Sequence, residues 1–380
     1  MSYRTLYYNS CSSDEDLKLA PRQSFGQRFL LLEALGSGGF GQVWRAKDRL
    51  LGQVIALKIS QQDLKNETLQ LRRLPKDRYV NIFDYLRDDG LGASAYSMEV
   101  LEPPWMTLED YQTSDLFTRL EKRDNFDALK AALCISIDIL HSLHILHGRK
   151  YGKTNRWCHG DIKPLNIFVD SKAISKLIDH HIWGSDFSPV TKIGDLGLTR
   201  RTGSELRAGT QFYMAPEHSD SSKKGAVTAA TDIFAIGQTI VKLVCGEPLD
   251  PDADELIHRK RIKERLQMNI PSAHLLEKVT EIVRLMTMTT PSIRPYADKS
   301  IALLKGVVDS EEDWAIFSVF GGRSQLKLEE ASENLFHLLA SSRRWNNLTV
   351  ERLNEMKRKI RQAYLRKLLS LDGHRYSIRV

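Results

Sequence analysis

The spacing of apolar positions changes once along the chain, near residue 103. Before that point, short runs of branched and aromatic residues are separated by glycine clusters and polar turns, which predicts β-strands. These runs are RFLLLEAL, FGQVWRAKD, QVIALKIS, NIFDYL and AYSMEVL, with a helix-compatible segment, 61–74, before the fourth. After that point, apolar residues recur every three or four positions, which predicts helices. The helical stretches are 126–146, 233–244, 275–288 and 299–308. The pattern predicts an α+β protein, with a small antiparallel-sheet lobe followed by a larger helical lobe.

Several stretches lie outside this pattern. Residues 1–27 are polar, with an acidic patch and no apolar periodicity, so we expect a flexible leader. The stretches 148–157 and 171–190 interrupt the helical part, and both are predicted to be surface loops. A C-terminal extension, 308–380, is predicted to be helical and basic, with its main apolar stripe over 348–371.

Composition narrows the class of protein. The 380 residues are 42% hydrophobic and 27% charged, which excludes a wholly disordered or fibrous chain. We expect no membrane span and no standard secretion signal, because no uninterrupted apolar stretch of ~18 residues exists and the N-terminus lacks a basic start before an apolar core. The four cysteines are scattered and form no C-x-x-C pair, which predicts free thiols, a cytoplasmic location and no structural zinc site.

The positive charge is concentrated at the C-terminal end. Residues 341–380 carry 11 Lys or Arg against 3 Asp or Glu, so the net charge of +7 for the whole chain belongs to this tail. A nucleic-acid-binding globular domain is therefore not indicated. Two interpretations of the tail helix stay open: it packs on the helical lobe with its basic face in water, or it binds a partner or an anionic surface.

A glycine-rich turn is the first chemical signal. Gly36, Gly38 and Gly41 form a G-x-G-x-x-G frame within LGSGGFGQV, and glycines let backbone N–H groups approach phosphate oxygens. By itself the frame is also compatible with an ordinary tight hairpin. Its position between two predicted strands disfavours a dinucleotide fold and favours a kinase-type loop.

A lysine lies within an apolar strand. Lys58 in IALKIS is costly to bury unless an anion meets it, although an edge-strand lysine facing water is the simpler alternative. In the functional interpretation, this cation is held against phosphates and fixed by a carboxylate. Glu67 is the only Glu between Lys58 and Asp77, so it is the predicted partner.

The decisive signal is CHGDIKPLNIFV, residues 158–169. Asp161 can accept a proton from a substrate hydroxyl, Lys163 can neutralise a migrating phosphoryl group, and Asn166 can offer an oxygen to a metal ion. Asp195 follows in KIGDLGL, where its carboxylate suits Mg²⁺. Phosphoryl transfer requires positioning and charge neutralisation more than covalent chemistry, so this set suffices.

These motifs resemble the eukaryotic-type serine/threonine protein kinase superfamily, from about Arg28 to Val307. Further matches lie at the end of the activation segment, 214–217, at Asp232 and at Arg294. The resemblance implies a bilobal protein kinase-like fold, with the small lobe at 28–101 and the large lobe at 102–307. It implies ATP and Mg²⁺ as cofactors, protein substrates as partners and transfer to Ser or Thr hydroxyls.

The resemblance also implies residue roles. Asp161 would be the base, Lys163 would contact the γ-phosphate, and Thr210 would bridge the lysine to Asp161. Asn166 and Asp195 would bind the metal. Met98 would be the gatekeeper, and Glu99 to Leu101 would form the hinge that holds adenine. The nucleotide would lie against Leu35, Gly36, Ser37, Gly38, Gly39, Phe40, Gly41, Val43, Ala56, Lys58, Glu67, Met98, Glu99 and Leu101.

Two positions and one spacing depart from the family pattern. Gly160 stands where most members have the arginine that binds a phosphorylated activation segment, and Leu196 replaces a phenylalanine. The distance from Asn166 to Asp195 is about twice the usual gap, because of the 171–190 insertion. Two alternative functions remain: an aminoglycoside-type small-molecule phosphotransferase, and a catalytically silent pseudokinase scaffold.

Overall fold

The fold is taken from a computed structural model of the chain. It describes residues 17–38, 41–114, 125–148, 157–179, 189–195, 200–201, 210–219, 226–250, 255–267, 269–270 and 273–308. The leader up to residue 16 and everything from residue 309 onward lie outside the described residues, including the predicted tail helix 348–371.

The small lobe is built on a six-stranded antiparallel sheet, ordered β1-β2-β3-β4-β6-β5. Its strands are β1 (Ser24–Phe25), β2 (Phe29–Gly38), β3 (Gly41–Asp48), β4 (Val54–Ser60), β5 (Ile82–Asp88) and β6 (Ala93–Met98). The last six residues of β4 and all six of β6 are buried, because these two inner strands are covered on both faces. A short helix, α1 (Lys65–Leu71), lies between β4 and β5.

The large lobe is mainly helical, as the spacing predicts. Its helices are α2 (Leu108–Thr113), α3 (Asn125–His147), α4 (Ser171–Asp179), α5 (Pro216–Ser219), α6 (Ala229–Cys245), α7 (Glu255–Leu266), α8 (Ala273–Met286) and α9 (Ala297–Val308). Helix α3 packs against α6, α9 and β10 (Thr191–Ile193), so it forms the centre of the lobe. Helix α6 ends at Gly246, whose φ of 87° lies in the left-handed region that favours glycine at this position.

Short strands complete the large lobe beside the cleft. They are β7 (Trp105–Thr107), β8 (Trp157–Cys158), β9 (Ile167–Asp170), β10 and β11 (Arg200–Arg201). One sheet has the order β10-β9-β7, and β8 pairs with β11. The loop before β5 joins the lobes, because the Val80 amide donates to the Ile193 carbonyl and the Ile193 amide donates to the Arg78 carbonyl, both at 3.0 Å.

Two sequence-based expectations differ from the structure. The flexible leader was predicted to reach residue 27, but Leu17 and Leu19 pack on the small-lobe core and Phe25 is fully buried in β1. The stretch 171–190 was predicted to be a loop, yet its first half is helix α4. Asp170 Oδ1 accepts from the Ala173 amide at the start of this helix, and Ile174 is buried, so local capping and one apolar contact stabilise it.

One helix has the length and composition of a membrane span. The segment Ala128–His147 of α3 passes that test, but 78% of its most apolar window is buried within the fold. The same residues form the centre of the large-lobe core. This burial accounts for the apolar composition of the helix.

Candidate active site

Three predicted catalytic side chains meet at one point of the cleft. Thr210 Oγ1 donates to Asp161 Oδ1 at 2.9 Å, and Lys163 Nζ lies 2.6 Å from Thr210 Oγ1 and 2.8 Å from Asp161 Oδ2. Lys163 is 3% exposed, so its charge is placed in a site with little water. The arrangement holds a carboxylate, an ammonium group and a hydroxyl in contact with one another.

Asn166 adjoins this triangle from the 3-10 turn Pro164–Asn166. Its Nδ2 donates to the Asp161 carbonyl at 2.8 Å and to Asp161 Oδ2 at 3.0 Å. Because the amide nitrogen is used in this way, the amide oxygen is the atom left for a cation. Asn166 is 4% exposed, and its side chain is therefore fixed relative to Asp161.

Lys58 meets a carboxylate from the other lobe. Lys58 Nζ lies 2.9 Å from Asp195 Oδ1, and the lysine side chain is 5% exposed. Burial alone would raise the pKa of Asp195, but the charge and hydrogen bond of Lys58, with the charge of Lys163, hold this pKa at about 2. Asp195 also has φ of 45°, a left-handed conformation that an L residue adopts at a cost of roughly 1–2 kcal/mol. Strain of this kind is common at functional sites.

The predicted Lys58–Glu67 pair is not tested by these contacts. Glu67 lies on α1, but its side chain falls outside the described residues, as do Gly39 and Phe40 of the glycine-rich turn. Leu196, the second predicted departure, also lies outside the described residues.

Asp232 on α6 holds the catalytic loop in place. Its Oδ2 accepts from the His159 amide at 2.9 Å and contacts His147 Nε2 at 2.8 Å, while its Oδ1 accepts from the Gly160 amide at 2.9 Å. Burial alone would raise the pKa of Asp232, but the hydrogen bond and charge of His147 outweigh it and lower the pKa. Three donors on one buried carboxylate fix the backbone just before Asp161.

His159 connects the two catalytic segments. Its Nδ1 accepts from the Asp161 amide at 3.2 Å, so its Nε2 carries the proton and donates to the Gly194 carbonyl at 3.1 Å. His159 is therefore a structural member of this loop. No cluster of three or more His, Cys, Asp or Glu that could hold a metal is found within the described ranges.

The glycine-rich turn joins β2 to β3 and carries one residue that must be glycine. Gly38 pairs with Gly41 across the turn. Gly41 has φ of 118°, and a Cβ atom there would lie 2.1 Å from the Ile59 carbonyl oxygen. Any side chain at this position would push the turn away from β4, so the third glycine of the frame is required for this close approach.

Several residues predicted to contact adenine belong to one buried apolar cluster, and we call this set of predicted contacts the apolar slot. Leu35, Ala56, Met98 and Leu101 are buried members of the large apolar cluster, and Val43 packs against it. In the part of the chain that the structure describes, the Leu101 backbone amide and carbonyl make no hydrogen bond. A flat heteroaromatic base could lie in this slot and pair with those two groups.

Lys192, which the sequence analysis did not identify, contacts the predicted hinge at Glu99. Lys192 Nζ on β10 contacts Glu99 Oε1 at 2.6 Å, and the same oxygen accepts from the Asn81 amide at 2.7 Å. The Glu99 amide in turn donates to the Asn81 carbonyl at 2.9 Å. Lys192 alternates with buried Thr191 and Ile193 in β10, a pattern that gives no sign of an ion pair across the cleft.

A rigid turn follows Thr210, and we call residues 210–217 the acceptor platform. The Thr210 carbonyl accepts from the amides of Tyr213 and Met214, at 3.1 and 2.9 Å. Glu217 forms two parallel hydrogen bonds with Arg294, both at 2.7 Å, and the Arg294 side chain is fully buried. Bidentate pairing of this kind fixes the far end of the platform.

The donor set fits the nucleotide and the cation that the motifs imply. The Asp195 carboxylate and the amide oxygen of Asn166 are hard oxygen ligands of the kind that Mg²⁺ prefers, and Lys58 and Lys163 supply positive charge beside them. The slot supplies an apolar site and an unpaired backbone edge. All the predicted catalytic and metal residues therefore lie in one cleft.

The chain is similar in sequence to bacterial serine/threonine-protein kinases. The chain is 27% identical over 258 residues to the DNA damage-responsive serine/threonine-protein kinase RqkA of Deinococcus radiodurans, covering 65% of this chain and 34% of that protein. It is 28% identical over 257 residues to the serine/threonine-protein kinase PrkC of Bacillus subtilis, again covering 65% of this chain and 34% of that protein. The chain thus spans about a third of the length of these two relatives.

The fold has matches among solved structures. The kinase domain of PknI from Mycobacterium tuberculosis aligns with a TM-score of 0.51 and 16% identity, covering 76% of this chain and 100% of that one. The sequence profile described as the protein kinase domain matches residues 29–312, which is most of the chain. The predicted bilobal fold is confirmed, and the chain belongs to the protein kinase domain family.

Proposed function

We propose that this protein is a serine/threonine protein kinase, which transfers the γ-phosphoryl group of ATP to Ser or Thr hydroxyls of protein substrates. The observation that carries the proposal is the Asp161–Lys163–Thr210 triangle, with Lys58 and Asp195 beside it. This arrangement has a base, a cation for the transferring group and a carboxylate for a metal within one cleft.

Asp161, Lys163 and Thr210 would have different roles in one in-line displacement. The acceptor hydroxyl would lie at Asp161, which takes its proton as the oxygen forms a bond to the γ-phosphorus. The bond from that phosphorus to the bridging oxygen breaks, and ADP leaves. Lys163 would neutralise charge on the transferring group, and Thr210 would hold Lys163 and Asp161 in register.

The nucleotide and metal would be held by the remaining predicted residues. The glycine-rich turn and Lys58 would hold the phosphates, and the hinge would hold adenine through Leu101 and the Glu99 carbonyl. Asn166 and Asp195 would hold Mg²⁺, which neutralises phosphate charge when it is bound. All these nucleotide contacts stay predictions from sequence, and Gly39 and Phe40 lie outside the described residues.

The acceptor platform favours a protein substrate over a small molecule. A platform anchored by Glu217–Arg294 offers an extended surface beside the base, which a drug-modifying phosphotransferase does not need. The silent-scaffold alternative is disfavoured because Lys58, Asp161, Asn166 and Asp195 are all present, with Lys58 in contact with Asp195 and Asn166 in contact with Asp161.

Labelled ATP with Mg²⁺, a generic basic protein and an aminoglycoside test these alternatives together. We expect the label on Ser and Thr of the protein. The rate of phosphoryl transfer should fall at least a hundredfold in each of the variants Lys58→Met, Asp161→Ala and Asp195→Ala, while the melting temperature stays unchanged. Label on the aminoglycoside alone, or no transfer by the wild type, would reject the proposal. Mainly phosphotyrosine would reject the acceptor class.

The remaining assignments are also proposals. We place the kinase domain at 17–307, because Leu17, Leu19 and β1 pack with the small lobe, and the basic extension at 308–380 after it. The extension would either pack on the large lobe or recruit a partner or an anionic surface, and the protein would act in the cytoplasm. Deletion of residues 341–380 tests the two roles of the extension. If the truncated protein still binds ATP but no longer recruits a partner, the extension is a recruiting tail. If the truncated protein does not fold, the extension belongs to the large lobe.

A further inference from the structure

Gln42, the residue after the last glycine of the glycine-rich turn, contacts the N-terminal segment, which we define as residues 17–25. Its Nε2 donates to the Leu17 carbonyl at 2.7 Å, and its Oε1 accepts from Trp44 Nε1 at 2.9 Å. Because the indole can only donate and the carbonyl can only accept, these two partners fix the orientation of the amide. Gln42 therefore connects the turn to a part of the chain that precedes the sheet.

The N-terminal segment is itself held on the small lobe. Leu17 and Leu19 pack against the apolar cluster of this lobe. The Arg22 amide donates to the Leu31 carbonyl at 2.7 Å, and the Leu31 amide donates to the Gln23 carbonyl at 2.9 Å. The Leu17 carbonyl is therefore a fixed acceptor for the Gln42 side chain.

The Gln42 side chain lies on the face of the sheet that points away from the proposed nucleotide cleft. Along β3, Val43 packs with the apolar cluster of the cleft, whereas Trp44 belongs to the separate small-lobe cluster that Leu17 joins. Successive strand residues alternate between the two faces, and the hydrogen bond to Trp44 places Gln42 on the same face as the indole. Gln42 thus acts on a nucleotide only through the backbone of the turn.

The backbone of the turn is directly joined to Gln42. Gln42 pairs with Ser37 in β2 and with Ile59 in β4, so it lies at the base of the turn. Its neighbour Gly41 lies so close to β4 that a Cβ atom there would be 2.1 Å from the Ile59 carbonyl oxygen. A shift of Gln42 would therefore move the turn relative to β4, because one peptide bond joins Gln42 to Gly41.

We propose that Gln42 is a positioning residue for ATP, and that its hydrogen bond to the Leu17 carbonyl holds the glycine-rich turn in the position that phosphate binding requires. This inference rests on the proposed kinase function, in which the turn lies over the phosphates. The N-terminal segment thereby supports nucleotide binding although it contacts no nucleotide. When this hydrogen bond is lost, ATP binding must also order the turn, and the affinity for ATP falls.

Two variants of Gln42 in the full chain test this inference, through direct ATP binding and through steady-state kinetics with Mg²⁺ and a generic basic protein. Gln42→Met loses both hydrogen bonds, whereas Gln42→Glu keeps the acceptor for Trp44 and loses the donor to Leu17. We expect Kd and KM for ATP to rise about fivefold in both variants, with kcat changed by less than about twofold. KM does not depend on the folded fraction, so a partly unfolded variant remains informative.

Salt separates the lost hydrogen bond from simple charge repulsion in Gln42→Glu. At an ionic strength of about 1 M, the Debye length is only about 3 Å, so repulsion between the new carboxylate and the phosphates is screened. The ratio of KM for ATP between Gln42→Glu and the wild type should stay at about fivefold under these conditions.

A double-variant cycle tests whether the N-terminal segment acts through Gln42. Leu17→Ala combined with Leu19→Ala loosens the packing of the segment and should raise KM for ATP about threefold. In the Gln42→Met background, the same two substitutions should raise KM by less than about 1.5-fold, because the hydrogen bond to the segment is already absent.

Gln53 supplies the matched control. It is an exposed glutamine on the turn between β3 and β4 of the same lobe. Gln53→Met and Gln53→Glu repeat the two chemical changes away from the N-terminal segment, and both should leave KM for ATP within about twofold of the wild-type value.

The inference and the proposed function fail in different ways. Unchanged Kd and KM in the Gln42 variants, a rise in only one of them, a rise that disappears at high salt, independent effects in the cycle, or an equal rise in the Gln53 variants would overturn the inference and leave the kinase function standing. Absence of ATP binding by the wild type, or of any transfer to Ser or Thr, would instead reject the proposed function.

Discussion

The ammonium group of Lys192 lies 2.6 Å from the Glu99 carboxylate, and this pair ties the strand before Asp195 to the hinge. Asn81 joins the same carboxylate through its amide, and Lys192 also lies 5.6 Å from the centre of the Trp105 ring. Both charged side chains are largely buried. The hinge and the strand that leads to Asp195 are therefore held as one unit.

Breaking this pair should weaken nucleotide binding. In Lys192→Met, Glu99 keeps only the Asn81 amide, and the hinge loses its connection to β10. We expect a rise of about tenfold in KM for ATP with a smaller change in kcat, since the groups at the γ-phosphate are untouched. Steady-state kinetics with varied ATP measures both constants.

A surface pair supplies the control for this experiment. Arg87 and Asp89 are 51% and 88% exposed, and Arg87→Met should leave KM for ATP within about twofold. An unchanged KM in Lys192→Met, or an equal effect of Arg87→Met, would show that the Lys192–Glu99 contact does not position the hinge.

Thr210 should matter through its hydroxyl alone. Its Oγ1 contacts both Asp161 and Lys163, so Thr210→Ala removes the link between base and cation, whereas Thr210→Ser retains it. We expect kcat for a Ser peptide to fall by roughly a hundredfold in Thr210→Ala and by less than about fivefold in Thr210→Ser. Equal activities of the two variants would contradict the assigned contact.

The fold was predictable because its signals are local. Strand runs such as QVIALKIS and the helical spacing of 126–146 depend on which side chains are buried, and burial follows directly from apolar pattern. The candidate catalytic residues could be named from the sequence because they lie on short motifs of fixed spacing, and their roles stay predictions. Helix α4 was missed because its polar sequence is stabilised by the Asp170 cap and by Ile174 packing, and neither signal is strong in the sequence.

Contacts across the cleft could not be predicted. Lys58 is separated from Asp195 by 137 positions, and Lys192 from Glu99 by 93. The sequence indicates Glu67 as the partner of Lys58 because it is the only Glu between Lys58 and Asp77, and that pair stays a prediction. Only the three-dimensional approach of the lobes brings Asp195 to the same lysine.

Asp232 should couple stability to pH. The pKa of Asp232 is lowered in the fold, against an unfolded value of about 3.9. The stabilisation that it provides is thus complete above about pH 4 and is lost as the pH falls through the folded pKa. Asp232→Asn should lower the free energy of unfolding at pH 7 by about 3 kcal/mol, because the His159 and Gly160 amides and the His147 ring lose the buried carboxylate that they contact.

Urea unfolding at pH 7 and at lower pH measures this effect. The difference between wild type and Asp232→Asn should shrink as the pH falls below 4, since both proteins then carry a neutral group at this position. Asp89→Asn, at a side chain that is 88% exposed, is the matched control and should cost less than about 0.5 kcal/mol. A difference that stays constant with pH would contradict the role of the charge.

Activity should not depend on phosphorylation of the activation segment. In most protein kinases, an arginine before the catalytic Asp binds a phosphate on that segment and orders it. Here the position is Gly160, which has φ of 82° and donates its amide to Asp232. The segment has another anchor, because Arg200 and Arg201 pair with Cys158 and Trp157 in a short antiparallel sheet.

Phosphatase treatment and alanine substitution test this expectation together. The candidate sites Thr199, Thr202 and Ser204 lie outside the described residues, and their triple replacement by alanine should change kcat/KM by less than about fivefold. The phosphatase-treated wild type should behave in the same way. A fall of roughly a hundredfold in either sample, the scale of a lost transition-state contact, would show that a phosphate supplies the order that Gly160 does not.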